Sequence, residues 1–78
     1  MRRLLYRVEY AFDPETGSVT ATVPELNHVS SFGTDFAEAE RNVTEAALLY
    51  LETLAAHGEP PPEPATQQGT LLTIDLAA

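Results

Sequence analysis

Residues 4–12 alternate in polarity. Leu4, Tyr6, Val8, Tyr10 and Phe12 fall on one side, and Leu5, Arg7, Glu9 and Ala11 on the other. That is the period of two required of a strand with one buried face. Residues 13–17, Asp-Pro-Glu-Thr-Gly, supply turn chemistry, with proline presetting φ and glycine accepting a left-handed conformation. Alternation resumes over 18–23, with Val19, Ala21 and Val23 inward and Thr20 and Thr22 outward, so the first two strands are expected to form a hairpin. Pro24 has no N–H to give to a ladder and ends the second strand. Pro24-Glu25-Leu26-Asn27 reads as a corner, and residues 28–32 as a short third strand.

The period then changes. Gly33-Thr34-Asp35 opens a helix, and Asp35 followed by Glu38 has the spacing of a capping box, with Thr34 as a rival cap. Over 36–57, at 100° per residue, Phe36, Ala39, Val43, Ala46, Ala47, Tyr50, Leu51 and Leu54 fall on one arc. Glu38, Arg41, Glu45 and Glu52 fall opposite. Gly58 is a natural stop. The following prolines exclude helix and central strand, so residues 58–69 are expected to be a stiff connector. Residues 70–76 alternate again, with Leu72, Ile74 and Leu76 on one face and Leu71, Thr73 and Asp75 on the other.

The pattern predicts an α+β fold, β-β-β-α-β. Its mainly antiparallel sheet has strand order 3-2-1-4, and one long helix is packed on one face. A right-handed crossover would lay the last strand parallel to the first. The open face of the sheet is polar enough to meet water. Residues 1–78 read as a single domain.

Charge narrows the function classes. Four Lys+Arg against twelve Asp+Glu give −8, and three of the four arginines lie within the first seven residues. Such a chain repels phosphate backbones, so direct nucleic-acid binding is not expected, whereas a basic protein is a suitable partner. There is no cysteine to staple a small core or build a zinc site. A chain of this size buries only about 60–65% of its unfolded surface, and so marginal a core points to self-association as a homodimer or higher oligomer. The start Met1-Arg2-Arg3-Leu4-Leu5-Tyr6-Arg7 offers no apolar core of a signal peptide and no run reaches membrane-spanning length, so a cytoplasmic protein is expected.

The order of these features resembles the HicB-like antitoxin family. Pro24 and Leu26 match that family's P-x-L; Gly33, Glu38 and Ala39 match its helix start. Glu45 and Ala46 match its second E-A, and Gly58 with the prolines after it matches its exit. Asn27-His28-Val29 stands where the family often has Pro-Gly-Cys, and Gly33-Thr34-Asp35 exchanges acid and hydroxyl in the helix start. The resemblance implies a partly degraded ribonuclease H-like fold and a non-catalytic role. The partner it implies is a HicA-like toxin, a small basic ribonuclease that cuts mRNA. Many such antitoxins continue into a DNA-binding segment, whereas this sequence ends just after its last strand, so a member lacking that segment is expected.

The partner-binding candidates are Glu9, Glu25, Glu38 and Asp75 on the acidic surface and Pro24, Leu26, Asn27 and His28 at the corner. Self-association candidates are Leu48 and Leu49, on either flank of the helix's apolar arc, and Leu72, Ile74 and Leu76 on a strand with no lysine or proline to protect its edge. Two alternatives stay open. One is a self-associating regulator of another pathway. The other is a residual metal-dependent nuclease using Glu9 and Asp75 as neighbours on the open face. His28 and His57 have no metal-ligand spacing, and no cofactor is expected.

Overall fold

The structure, a computed structural model, describes residues 2–63 and 69–76. Its elements run β1 (Arg2–Arg7), β2 (Glu9–Phe12), β3 (Val19–Val23), a 3-10 turn (Pro24–Leu26), β4 (Val29–Gly33), α1 (Phe36–Ala56) and β5 (Leu71–Leu76). The first strand is thus two in hydrogen bonding but one in direction. Leu4, Tyr6, Val8 and the half-buried Tyr10 keep to the same face through the junction, so no residue is inserted. What changes at Val8 is the partner. β1 pairs with β5, and β2 pairs with β3 on the opposite edge. The register that sets Glu9 against Thr22 would next bring Pro24 toward Arg7. Proline has no N–H, and the chain turns away there.

The order across the molecule is β4-β3-β2 and then β1-β5, in two sheets, compatible with the expected 3-2-1-4. The expected parallel last strand is corrected: β5 is antiparallel to β1, with Arg2 opposite Leu76 and Arg7 opposite Leu71. The helix itself completes a crossover, and a parallel strand would have begun at its end. The additional connector instead carries the chain back up to Thr70, whose carbonyl accepts from Val8 N–H at 2.9 Å. The strand then descends beside β1. Buried Tyr6 holds this return path, its hydroxyl donating to the Pro62 carbonyl at 2.9 Å. Residues 64–68 of the connector lie outside the described residues.

One helix covers one face. Ala39, Val43, Ala47 and Leu51 are its fully buried stripe, and two alanines in that stripe let the helix approach the sheet closely. Against it lie Leu4, Tyr6, Val8, Val19, Ala21, Val23, Leu26, Leu72, Ile74 and Leu76. The helix lies nearest β4, and also packs on β3 and β5. Asp35 is its N-cap, accepting from Glu38 N–H at 2.8 Å. Glu38 reaches back to Thr34 N–H at 2.7 Å, one residue beyond the cap that a reciprocal box would serve. At the other end Gly58 adopts φ +73. Glu59 N–H bonds Leu54 O at 2.9 Å and Gly58 N–H bonds Ala55 O at 3.0 Å, the paired closure of a Schellman motif.

Candidate functional site

The corner is built by Pro24 and by two left-handed residues. Proline opens the 3-10 turn, Leu26 is driven fully into the core, and Asn27 and His28 both take φ 56. Asparagine and histidine are found in this conformation more often than most residues, but each carries a backbone cost there that glycine lacks. At His28 that cost falls at the position where the HicB-like pattern has glycine. His28→Gly is therefore expected to stabilise the chain by about 1 kcal/mol, read as a higher midpoint in urea unfolding. Both side chains are exposed.

Glu25 leans from the corner toward Arg7, with Oε2 3.9 Å from the guanidinium Nε. That is too long for a hydrogen bond. Arg7 Nε and Glu25 Oε1 are buried without a hydrogen-bond partner, so attraction across a partly dry gap is all that joins them. Arg7 ties the corner to β1, a role missed in the sequence because it depends on the bend at Pro24. Alternation alone placed Arg7 on the open face, and that was the available signal.

The remaining acids do not gather around the corner. Glu9 is exposed on the open face. Asp75 accepts from Arg3 Nε at 3.0 Å near the far end of β1. The expected neighbourhood of Glu9 and Asp75 is corrected: the antiparallel register puts Asp75 opposite Arg3, about 20 Å along the run from Glu9 at 3.3 Å per residue. Glu38 is engaged at the helix start, where Thr34 also donates to it through Oγ1. Among the described residues no group of three or more His, Cys, Asp or Glu is placed to hold a metal ion. Among them, too, no helix is long and apolar enough to cross a membrane.

The apolar candidates separate in the same way. Leu72, Ile74 and Leu76 point into their own core, Leu48 packs half-buried against it, and Leu49 is 65% exposed. Sequence reasoning missed the aromatic end of the molecule. Phe12 is 58% exposed and Phe36 54% exposed, although both were expected on buried faces. Phe12 ends β2, beyond the point where the helix begins to cover the sheet. Tyr10 meets the Phe36 ring edge-on, centroids 5.4 Å apart, and donates to Glu40 Oε2 at 3.4 Å.

Burial, and then the charge and hydrogen bond of Glu40, raise the Tyr10 phenol above its ordinary value. A raised phenol favours its protonated form in the folded state, so its contribution is complete below the unfolded value near 10. It is lost as pH rises through the folded value. Glu40→Gln is expected to bring the Tyr10 titration back toward that of free tyrosine, followed by phenolate absorbance.

The chain matches no protein-family model, and no curated protein matches it. Among solved structures it is similar to the N-terminal domain of the antitoxin HicB from Burkholderia pseudomallei. The TM-score is 0.72 at 18% identity, covering 99% of this chain and 100% of that one. The likeness thus runs through strands, corner, helix and returning strand alike: this chain has the fold of a HicB antitoxin N-terminal domain.

Proposed function

We propose that the chain is a non-catalytic binding module of the HicB antitoxin kind, which holds a small basic, HicA-like mRNA-cleaving toxin. The observation that carries this reading is the fold match, which spans both chains almost entirely. Charge supports it: the chain carries −8 and its cations are four arginines, so a basic protein is drawn to it by long-range attraction. Glu9, Asn27, His28 and Asp75 are the exposed members of the candidate set; Asp75 is engaged by Arg3, so the other three are the side chains offered to the partner. Leu26 holds the corner from inside, and Glu38 holds the helix start.

The test is capture of partners from native lysate at low and then high salt, followed by an activity assay. The expected result is a small basic protein retained at low salt and released by salt, which cuts mRNA alone and stops when the chain is added. Glu9→Lys should weaken the complex on the order of tenfold at low salt. A retained basic protein whose activity is unaffected, or no basic protein at all, overturns the reading.

A further inference from the structure

β5 is the outer strand of its sheet, and its free edge can be read bond by bond. Val8 N–H donates to Thr70 O, which makes Val8 and Thr70 a hydrogen-bonded pair. In an antiparallel ladder such pairs alternate with non-bonded ones. Leu72, Ile74 and Leu76 therefore direct their N–H and C=O groups toward β1, while Leu71, Thr73 and Asp75 direct theirs outward. Among the described residues nothing pairs with those outward groups.

The other outer strand differs. The same reasoning sends Phe32 C=O outward from β4, and there Asn42 Nδ2 from the helix donates to it at 2.8 Å. One edge is thus guarded by a side chain, and the other has no proline or lysine of its own and, among the described residues, no backbone partner.

We infer that this edge pairs with the same edge of a second copy of the chain, β5 against β5 in antiparallel, about a two-fold axis at Thr73. The register follows from the outward groups. Thr73 faces its own copy and Leu71 faces Asp75 of the partner copy in both directions, so three outward positions on each strand are satisfied together.

At this edge the local charge, unlike that of the whole chain, favours a second copy over a basic strand. At −8 two chains repel over most of their surface. β5 carries only Asp75, and Arg3 neutralises it at 3.0 Å. In the paired register each Asp75 meets a leucine, and the two Asp75 lie about 13 Å apart along the strands at 3.3 Å per residue. Arg3 and Arg7, on the adjacent strand, would repel a basic strand laid on the same edge. Pairing also covers Leu71, which is 42% exposed. The inference is independent of toxin binding.

The test reads mass, fold and register. Sedimentation across a wide concentration range should show the wild-type chain passing to a mass of two chains. Thr73→Pro removes an outward N–H without touching the β1 ladder. It should weaken the dimer about a hundredfold through loss of both central bonds, with the circular dichroism of the monomer retained. The chain has no cysteine, so Thr73→Cys serves as a second, independent variant. The paired register brings its Cα within about 5.5 Å of its copy, inside disulfide range. It should cross-link under mild oxidation far faster than Thr20→Cys, which lies on β3 away from any free edge. A wild-type chain that remains monomeric overturns the inference and leaves the edge to a strand of another protein. A dimer that survives Thr73→Pro in folded protein, or equal cross-linking of the two cysteine variants, overturns it as well.

Discussion

Gly33→Ala is expected to lower the unfolding free energy by about 2–3 kcal/mol, a drop in Tm on the order of 10–20 °C for a chain of this size. A β-carbon built at Gly33 would lie 2.5 Å from Ala39 N and 2.8 Å from both the Glu38 carbonyl carbon and Glu38 Cβ. The first two are backbone atoms of the opening helical turn, and Asp35 and Thr34 hold that turn through Glu38. No flexible side chain stands ready to give way, so the end of β4 and the helix must separate. The helix is fixed to that strand again by Asn42, and the strain spreads into the core rather than into solvent. Gly17 provides the contrast. It has φ +77 and nothing within 4 Å of the added carbon, so alanine there meets only the left-handed backbone cost of about 1–2 kcal/mol. Thermal unfolding of the two variants side by side decides the matter. Equal losses would mean that the close approach at Gly33 is not what glycine supplies there.

Tyr6→Ala is expected to cost more, about 3–5 kcal/mol, enough to unfold much of so small a protein. Tyr6 is fully buried at the centre of the core, between β5 and the turn that seats Leu26. Its ring fills volume that no neighbour can reach, and its hydroxyl gives the Pro62 carbonyl a partner. Tyr6→Phe separates the two roles. It keeps the ring and removes the hydroxyl together with its hydrogen bond to Pro62, with a loss of about 1 kcal/mol for that bond. The local signature is sharper than the global one, because residues 59–63 lose a tether to the strand they run past. Limited proteolysis of the folded protein should quicken in that connector in Tyr6→Phe while cleavage elsewhere is unchanged. A connector as resistant as that of the wild type would show that the prolines hold its path unaided.

Much of the fold was legible because local chemistry and tertiary packing agree. The alternation of Leu4, Tyr6 and Val8 marked a half-buried strand, Asp35 marked the helix start, and Gly58 marked its end. What was not legible depends on lengths and bends that no single segment carries. Pairing passes from one edge to the other at Val8 because Pro24, far along the sequence, turns β3 away. β5 runs antiparallel because the connector overshoots before it descends, and periodicity records the faces of a strand but not its direction. Of the candidate site, exposure at Asn27 and His28 followed from the corner. Leu26 and Glu38 answered to structural demands, and the aromatic end stayed hidden because an inward register says nothing about where the covering helix begins.

The change of partner at Val8 also divides the folding of the chain in time. β2, β3 and β4 follow one another closely, and their loops close cheaply. β1 must wait for residues far along the chain: Arg3 and Asp75 are 72 positions apart, and Tyr6 and Pro62 are 56 apart. Contacts of that separation form slowly because chain entropy opposes them. In pulse-labelled hydrogen exchange the Ala21 amide, inside the three-stranded sheet, should become protected before that of Ile74. During that interval the β1 edge that β5 will occupy stands open, and at high concentration the β5 of another molecule can reach it first. The same geometry that completes the monomer thus provides a route to strand exchange, governed by how crowded the chain is while it folds.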